Sequence, residues 1–172
     1  MADLATELRT YLKTKTAVTA VLSEGGVAAN HFKLYSGYLP ITMGRDSRYA
    51  DLEWQDRRDL PAATMTIDID EDYRHLNGLV GLERATVTFD CYSLFDADNN
   101  GQTSHIKIRT VLRNALGALK GKINSSLDVR DCIPLSTRTT IERSADSSNR
   151  PRFIAVAEFS ISYATTAVTI GV

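Results

Sequence analysis

Two acidic clusters are the first places in this chain where metal chemistry could sit. Asp96-Ala-Asp98-Asn-Asn100-Gly101 reproduces the first half of a calcium-binding helix–loop–helix loop, in which alternate oxygens wrap the cation and a glycine permits the sharp turn. The twelfth position of that loop holds Lys107 where a bidentate glutamate is needed. A cation would lose two oxygens there and face an ammonium group. A strand-to-helix turn, with Ser104 near the helix N-terminus, is the better reading. The second cluster is Asp68, Asp70, Glu71 and Asp72 at the end of a strand. Alternate strand positions put Asp68 and Asp70 on one face, as a two-metal or nucleotidyl-transfer site would need. Such a site also needs a phosphate-cradling glycine motif upstream, and no glycine occurs between Arg45 and Glu71. A charged strand end entering a hairpin turn accounts for the run.

Other chemistries find less support. His31, His75 and His105 are isolated from one another, and none has a ligand four residues on. No nucleophile elbow, phosphate-binding loop or dinucleotide fingerprint is present. The reading is therefore of a non-enzyme with no catalytic residues, metal or cofactor. A metal-dependent enzyme built on Asp68 and Asp70 is the distant alternative. Cys91 and Cys132 lack metal-ligand spacing and read as free thiols, acting as small buried hydrophobes. The densest basic stretch is 138–152, where Arg138, Arg143, Arg150 and Arg152 stand against Glu142 and Asp146. It has no interleaved aromatics for base stacking. It reads as a solvated hairpin loop or as a contact with an acidic patch on a neighbouring subunit. The net charge of −1 excludes an electrostatic funnel for DNA, so no sequence-specific nucleic-acid binding is expected. The acid at Asp3 argues against a secretory leader, and no apolar run is long enough for a bilayer. The expected setting is the cytoplasm.

The elements that must position these residues are legible from periodicity. At 172 residues the chain fits one domain, 1–172, able to bury about two-thirds of its unfolded surface. Leu4, Leu8, Tyr11 and Leu12 recur at helical spacing behind Asp3 as N-cap. Val18, Val21 and Leu22 follow, and Gly25-Gly26 stops them, so residues 3–23 form one or two helices. Residues 31–39 read as a short strand, and the mixed-charge stretch at 40–60 as a long exposed loop. Ala63, Met65, Ile67 and Ile69 then alternate with polar residues as in a half-buried strand. Ala85, Val87, Phe89 and Cys91 repeat the pattern, and the turn around Asn77-Gly78 joins the two as an antiparallel hairpin. After a turn-rich stretch from Asp96 to Ser104, Ile108, Val111, Leu112, Ala115, Leu116 and Leu119 mark a helix ending near Gly121. Leu127, Val129, Ile133 and Leu135 lie mostly in phase along an extended stretch whose Pro134 calls for an edge or a bulge. Phe153, Ala155, Ala157, Phe159, Ile161 and Tyr163 line one face of the last strand. The fold class is α+β: an antiparallel sheet of four to five strands with two main helices packed on one face. The apolar TTAVTIGV segment either extends the last strand or forms a C-terminal arm at 165–172, pairing with a neighbour's sheet edge.

In order, these segments resemble the tail-completion, or tail-terminator, proteins of siphophages. LATELRTYLKTKTAVTAVL looks like that family's first helix, LPAATMTI and RATVTFDCYSLF like its central strands, IKIRTVLRNALGAL like its second helix, and RFIAVAEFSISY like its closing strand. The resemblance implies a structural virion protein: a hexameric ring that ends tail-tube polymerisation. The ring would contact the tail tube protein on one side and the head–tail connector on the other, with DNA passing through its lumen. The added length at 40–60 and 136–152 keeps a head-completion or neck-adaptor position open. Trp and Arg are enriched at interface hot spots. The expected subunit contacts are therefore Trp54 with Arg45, Arg48, Arg57 and Arg58, joined by Val168 and Ile170 of the arm.

Overall fold

The computed structural model describes residues 4–39, 61–70, 82–94, 101–123, 127–143 and 151–165. Helix α1, Leu4–Lys13, buries Leu4, Leu8 and Leu12, the one-face stripe expected of four-residue spacing. The expected N-cap, Asp3, lies outside the described residues. Helix α2, Thr16–Leu22, buries Val18 and Leu22. So the N-terminal segment is two helices. A 3₁₀ turn, Glu24–Gly26, follows, with Gly25 and Gly26 at φ 64° and 72°. Side chains rarely tolerate that left-handed region, which is why the chain reverses at this pair.

Strand β1 is only Leu34–Ser36, shorter than the 31–39 expected, and Gly37 at φ 79° ends it. Arg9 clamps it to α1. Its Nε donates to the Leu34 carbonyl at 3.0 Å and its Nη2 to the Phe32 carbonyl at 3.3 Å, with the guanidinium over the Phe32 ring. Strands β2, Ala62–Ile69, and β3, Leu82–Leu94, pair antiparallel from Ala62↔Tyr92 to Ile69↔Ala85. The expected antiparallel pairing of these two strands therefore holds; the turn expected at Asn77-Gly78 lies outside the described residues. Helix α3 is Gly101–Gly117, so Gly101 to Ser104, expected in the turn, are helical. It is followed by the two-residue β4, Gly121–Lys122, and the long strands β5, Leu127–Arg143, and β6, Pro151–Thr165.

The sheet order is β1-β2-β3-β6-β5-β4. Among the described residues every pairing is antiparallel except β1 with β2, which run parallel, as the long stretch of chain between them allows. Among the described residues four long strands carry the sheet, and two short ones extend it to six, beyond the four to five expected. The helices pack on the face formed by Met65, Ala85, Val87, Phe89, Cys91, Ala155, Ala157, Phe159, Ile161 and Tyr163. From α3, Ile108, Leu112, Leu116 and the following Leu119 enter this core. Phe89 and Phe159 meet edge to face across β3 and β6, with centroids 6.1 Å apart. The Tyr11 hydroxyl donates to the Ala115 carbonyl at 3.3 Å and ties α1 to α3.

Strand β5 departs from its expected phase. Leu127 and Val129 are buried, but Ile133 and Leu135 are 48% and 51% exposed. Register shifts fall between Val129 and Asp131 and between Pro134 and Ser136, and each bulge changes which residues share a face. Pro134 thus sits at a bulge on an edge, where its missing N–H does no harm. The basic stretch is also corrected: 138–143 and 151–152 are paired strands, and 144–150 lie outside the described residues.

Candidate functional site

The calcium-loop reading fails on backbone geometry. Its sixth to twelfth positions, Gly101 to Lys107, are the first turns of α3, so they cannot wrap a cation. Asp68 is exposed near the end of β2, opposite Thr86, and Asp70 lies just past the strand with its N–H donating to the Arg84 carbonyl. Glu71 and Asp72 lie outside the described residues. Among the described residues no three His, Cys, Asp or Glu side chains gather to hold a metal.

The structure does assemble one pair with nucleophile-and-base spacing. Ser93 Oγ lies 3.0 Å from His105 Nδ1, and the imidazole stacks on Phe153 at 5.6 Å between centroids. A working nucleophile must reach its substrate. His105 is 0% exposed and Ser93 2%, so the pair is a buried crosspiece between β3 and α3. Sequence reasoning passed it over, although the signal was present. Ser93 continues the inward phase of Ala85, Val87, Phe89 and Cys91, and His105 lies on the stripe of Ile108, Leu112 and Leu116. A polar residue in a buried phase needs a partner, and each supplies the other. His31 is exposed and meets the Tyr35 hydroxyl at 3.1 Å, and His75 lies outside the described residues.

Both cysteines are free. Cys91 is buried as expected, and burial pushes its thiol far up, reinforced by Asp90 and opposed by Arg109. Cys132 is only half-buried, because it sits on the edge strand; burial, then Asp131, push its thiol up to about 11. Neither is a reactive thiolate at neutral pH.

The helix-free face of the sheet is where polar chemistry collects. Arg84 Nε donates to Ser160 Oγ at 3.0 Å and Ser136 Oγ to Glu158 Oε2 at 3.0 Å. Asp90 on β3 and Arg138 on β5 both pair with Val156 of β6, one from each side. Burial raises the Asp90 carboxyl above its ordinary range, and the Arg138 charge draws it partly back. With a raised folded-state value, Asp90 favours folding below the ordinary carboxylate range, and that contribution is lost as pH rises through the raised value. Asp90→Asn is therefore expected to raise the melting temperature at pH 7, and the gain should vanish below about pH 4. Thermal unfolding of both proteins across that range checks the sign.

No protein-family model matches the chain, and no curated protein matches it. The expected contact residues Arg45, Arg48, Trp54, Arg57 and Arg58 lie outside the described residues, as do Val168 and Ile170. No helix among the described residues is long and apolar enough to cross a membrane. The described residues build a sheet with helices packed on one face, polar side chains together with buried Thr64, Val156 and Ser160 on the other, and a long β5–β6 ribbon at one side.

Proposed function

We propose that this chain is a structural virion protein of a tailed phage, a tail-completion or tail-terminator subunit that assembles into a hexameric ring. The ring ends tail-tube polymerisation and joins the tail to the head connector, with DNA passing through its lumen. The observation that supports this most is the order of elements: two helices, a short strand, a hairpin, a helix and a closing hairpin in one sheet covered on one face. The segments on which the resemblance rests are helical and extended in that order, with the first of them, residues 4–22, divided into two helices. A ring needs a heterologous contact whose rotation closes. Trp54 with Arg45, Arg48, Arg57 and Arg58 supplies that contact in this proposal, and Val168 and Ile170 add a second.

The test is the assembly mass of the protein, alone and with tail tubes lacking a terminator, followed by imaging. The expected result is a six-fold ring at the tube end and tubes that stop lengthening. Trp54→Ala should weaken assembly at least tenfold, as interface tryptophans often do. A ring seated on the head connector instead would move the protein to the neck. A monomer with metal-dependent turnover lost in Asp68→Asn would overturn the proposal.

A further inference from the structure

The outer surface of the helix layer is one-sided in charge. Residues 101–127 hold five Lys or Arg and no Asp or Glu, in a chain whose net charge is −1. The excess acid therefore lies elsewhere, and the whole-chain sum hides a local concentration of positive charge. On α3, Lys107, Thr110, Arg113 and Asn114 are exposed and follow one another at three- and four-residue spacing, so they form one outward stripe. Lys120 is exposed just beyond the helix. Helix α1 packs on the same sheet face, and the bond from the Tyr11 hydroxyl to the Ala115 carbonyl brings its end, with exposed Lys13, alongside α3. Among the described residues Lys13, Lys107, Arg113 and Lys120 have no ion pair, and Arg109 donates to a carbonyl and a hydroxyl that carry no countercharge. The acids of the layer among the described residues are Glu7, half-buried, and Glu24, in the 3₁₀ turn.

The residues around these cations separate the partners that could neutralise them. A membrane surface takes helices with large apolar side chains turned toward it. On α1, α2 and α3 the exposed large apolar side chain among the described residues is Ile106 alone. Single-stranded nucleic acid needs aromatic rings under its bases. Here Tyr11 is half-buried with the Lys15 ammonium 4.3 Å from its ring centroid, and His105 is buried. Protein interfaces are poor in lysine at their core and anchored by aromatic residues. Of the four unpaired cations here, Lys13, Lys107 and Lys120 are lysines. The phosphate backbone of a duplex requires positive charge among small polar neighbours and no apolar anchor. Thr10, Thr14 and Thr110 are such neighbours, because their hydroxyls turn back to carbonyls of their own helices and add no charge.

We propose that this surface binds the phosphate backbone of double-stranded DNA irrespective of sequence, through Lys107, Arg113 and Lys120 with Lys13 beside them. The contact goes beyond the ring reading and stands without it, because the surface belongs to the folded subunit.

Fluorescence anisotropy of a labelled random-sequence duplex titrated with the full chain tests the contact. At about 50 mM salt a Kd on the order of 10 µM is expected, and about four phosphate contacts should give log affinity against log salt a slope of roughly −3 to −4. Lys107→Glu combined with Arg113→Glu should weaken binding by about tenfold or more and flatten that slope by about two. Neither side chain is buried or paired, so the melting temperature should hold. Thr110→Glu and Thr66→Glu each add one negative charge, the first within the stripe and the second on the sheet face away from the helices. Only the first should weaken binding. A wild type that fails to bind duplex at about 20 mM salt overturns the proposal, where phosphate contacts are strongest. Equal weakening by Thr66→Glu overturns it too. Tighter binding to a single strand, to phosphatidylserine vesicles or to polyglutamate overturns it in favour of that partner. Trp54→Ala is expected to retain duplex binding, so a failed ring and a failed DNA contact are told apart.

Discussion

Phe89→Ala is expected to lower the unfolding free energy by about 3–5 kcal/mol. Phe89 lies on β3, fully buried, and its ring meets Phe159 of β6 edge to face under α3. Truncation removes the transfer term for the whole ring and leaves a cavity. The surroundings cannot close that cavity, because β3 is hydrogen-bonded on both sides, to β2 and to β6. Phe159 loses its partner ring as well, an interaction of about 0.5–1.5 kcal/mol beyond area alone. Domains of this kind are stable by about 5–15 kcal/mol, so the variant would lose a large part of its margin. Urea unfolding should show a lower midpoint with an unchanged slope. A midpoint shift worth less than about 1 kcal/mol would mean that the rings do not form the centre of the core.

The second large effect is expected at His105. His105→Ala should cost about 2–4 kcal/mol, from the cavity and from a hydrogen bond lost in a buried site. The imidazole fills the space between α3 and the sheet, stacks on Phe153 and meets Ser93 Oγ at 3.0 Å. Ser93→Ala removes only a hydroxyl and should cost less, about 1 kcal/mol. The double variant separates packing from hydrogen bonding: its cost should fall short of the sum of the two singles, because the pair shares one bond. Full additivity would show that the two side chains do not depend on each other. This comparison also bears on catalysis, since a structural crosspiece makes itself felt in unfolding rather than in turnover.

The N-terminal helices, the β2–β3 hairpin and the inward face of β6 were all legible in residue order. Each is a local periodic pattern: four-residue leucine spacing in α1, and alternation in Ala63 to Ile67, Ala85 to Cys91 and Phe153 to Tyr163, while Ile69, expected in the same phase, is 46% exposed at the strand end. Burial of one face imposes such a period whatever the partner, so a single segment carries the information. The acidic clusters could be judged the same way, because Lys107 and the missing upstream glycine are sequence facts.

Other features depended on which elements meet. The parallel placement of β1, the pairing of Ser93 with His105 and the gathering of Asp90 and Arg138 around Val156 all join residues from separate segments. The exposure of Ile133 and Leu135 follows from two bulges that shift the phase of β5, and periodicity alone cannot register a shift that occurs within a strand. Of the acidic clusters, Asp68 lies near a strand end and Gly101 to Lys107 are the first turns of α3. The polar contacts that stand out lie on the sheet face away from the helices, where Arg84 meets Ser160 and Ser136 meets Glu158. Sequence determined which faces are apolar, because hydrophobic period is local. Tertiary structure alone decided which segments meet, because strand order and bulges join residues that no local pattern connects.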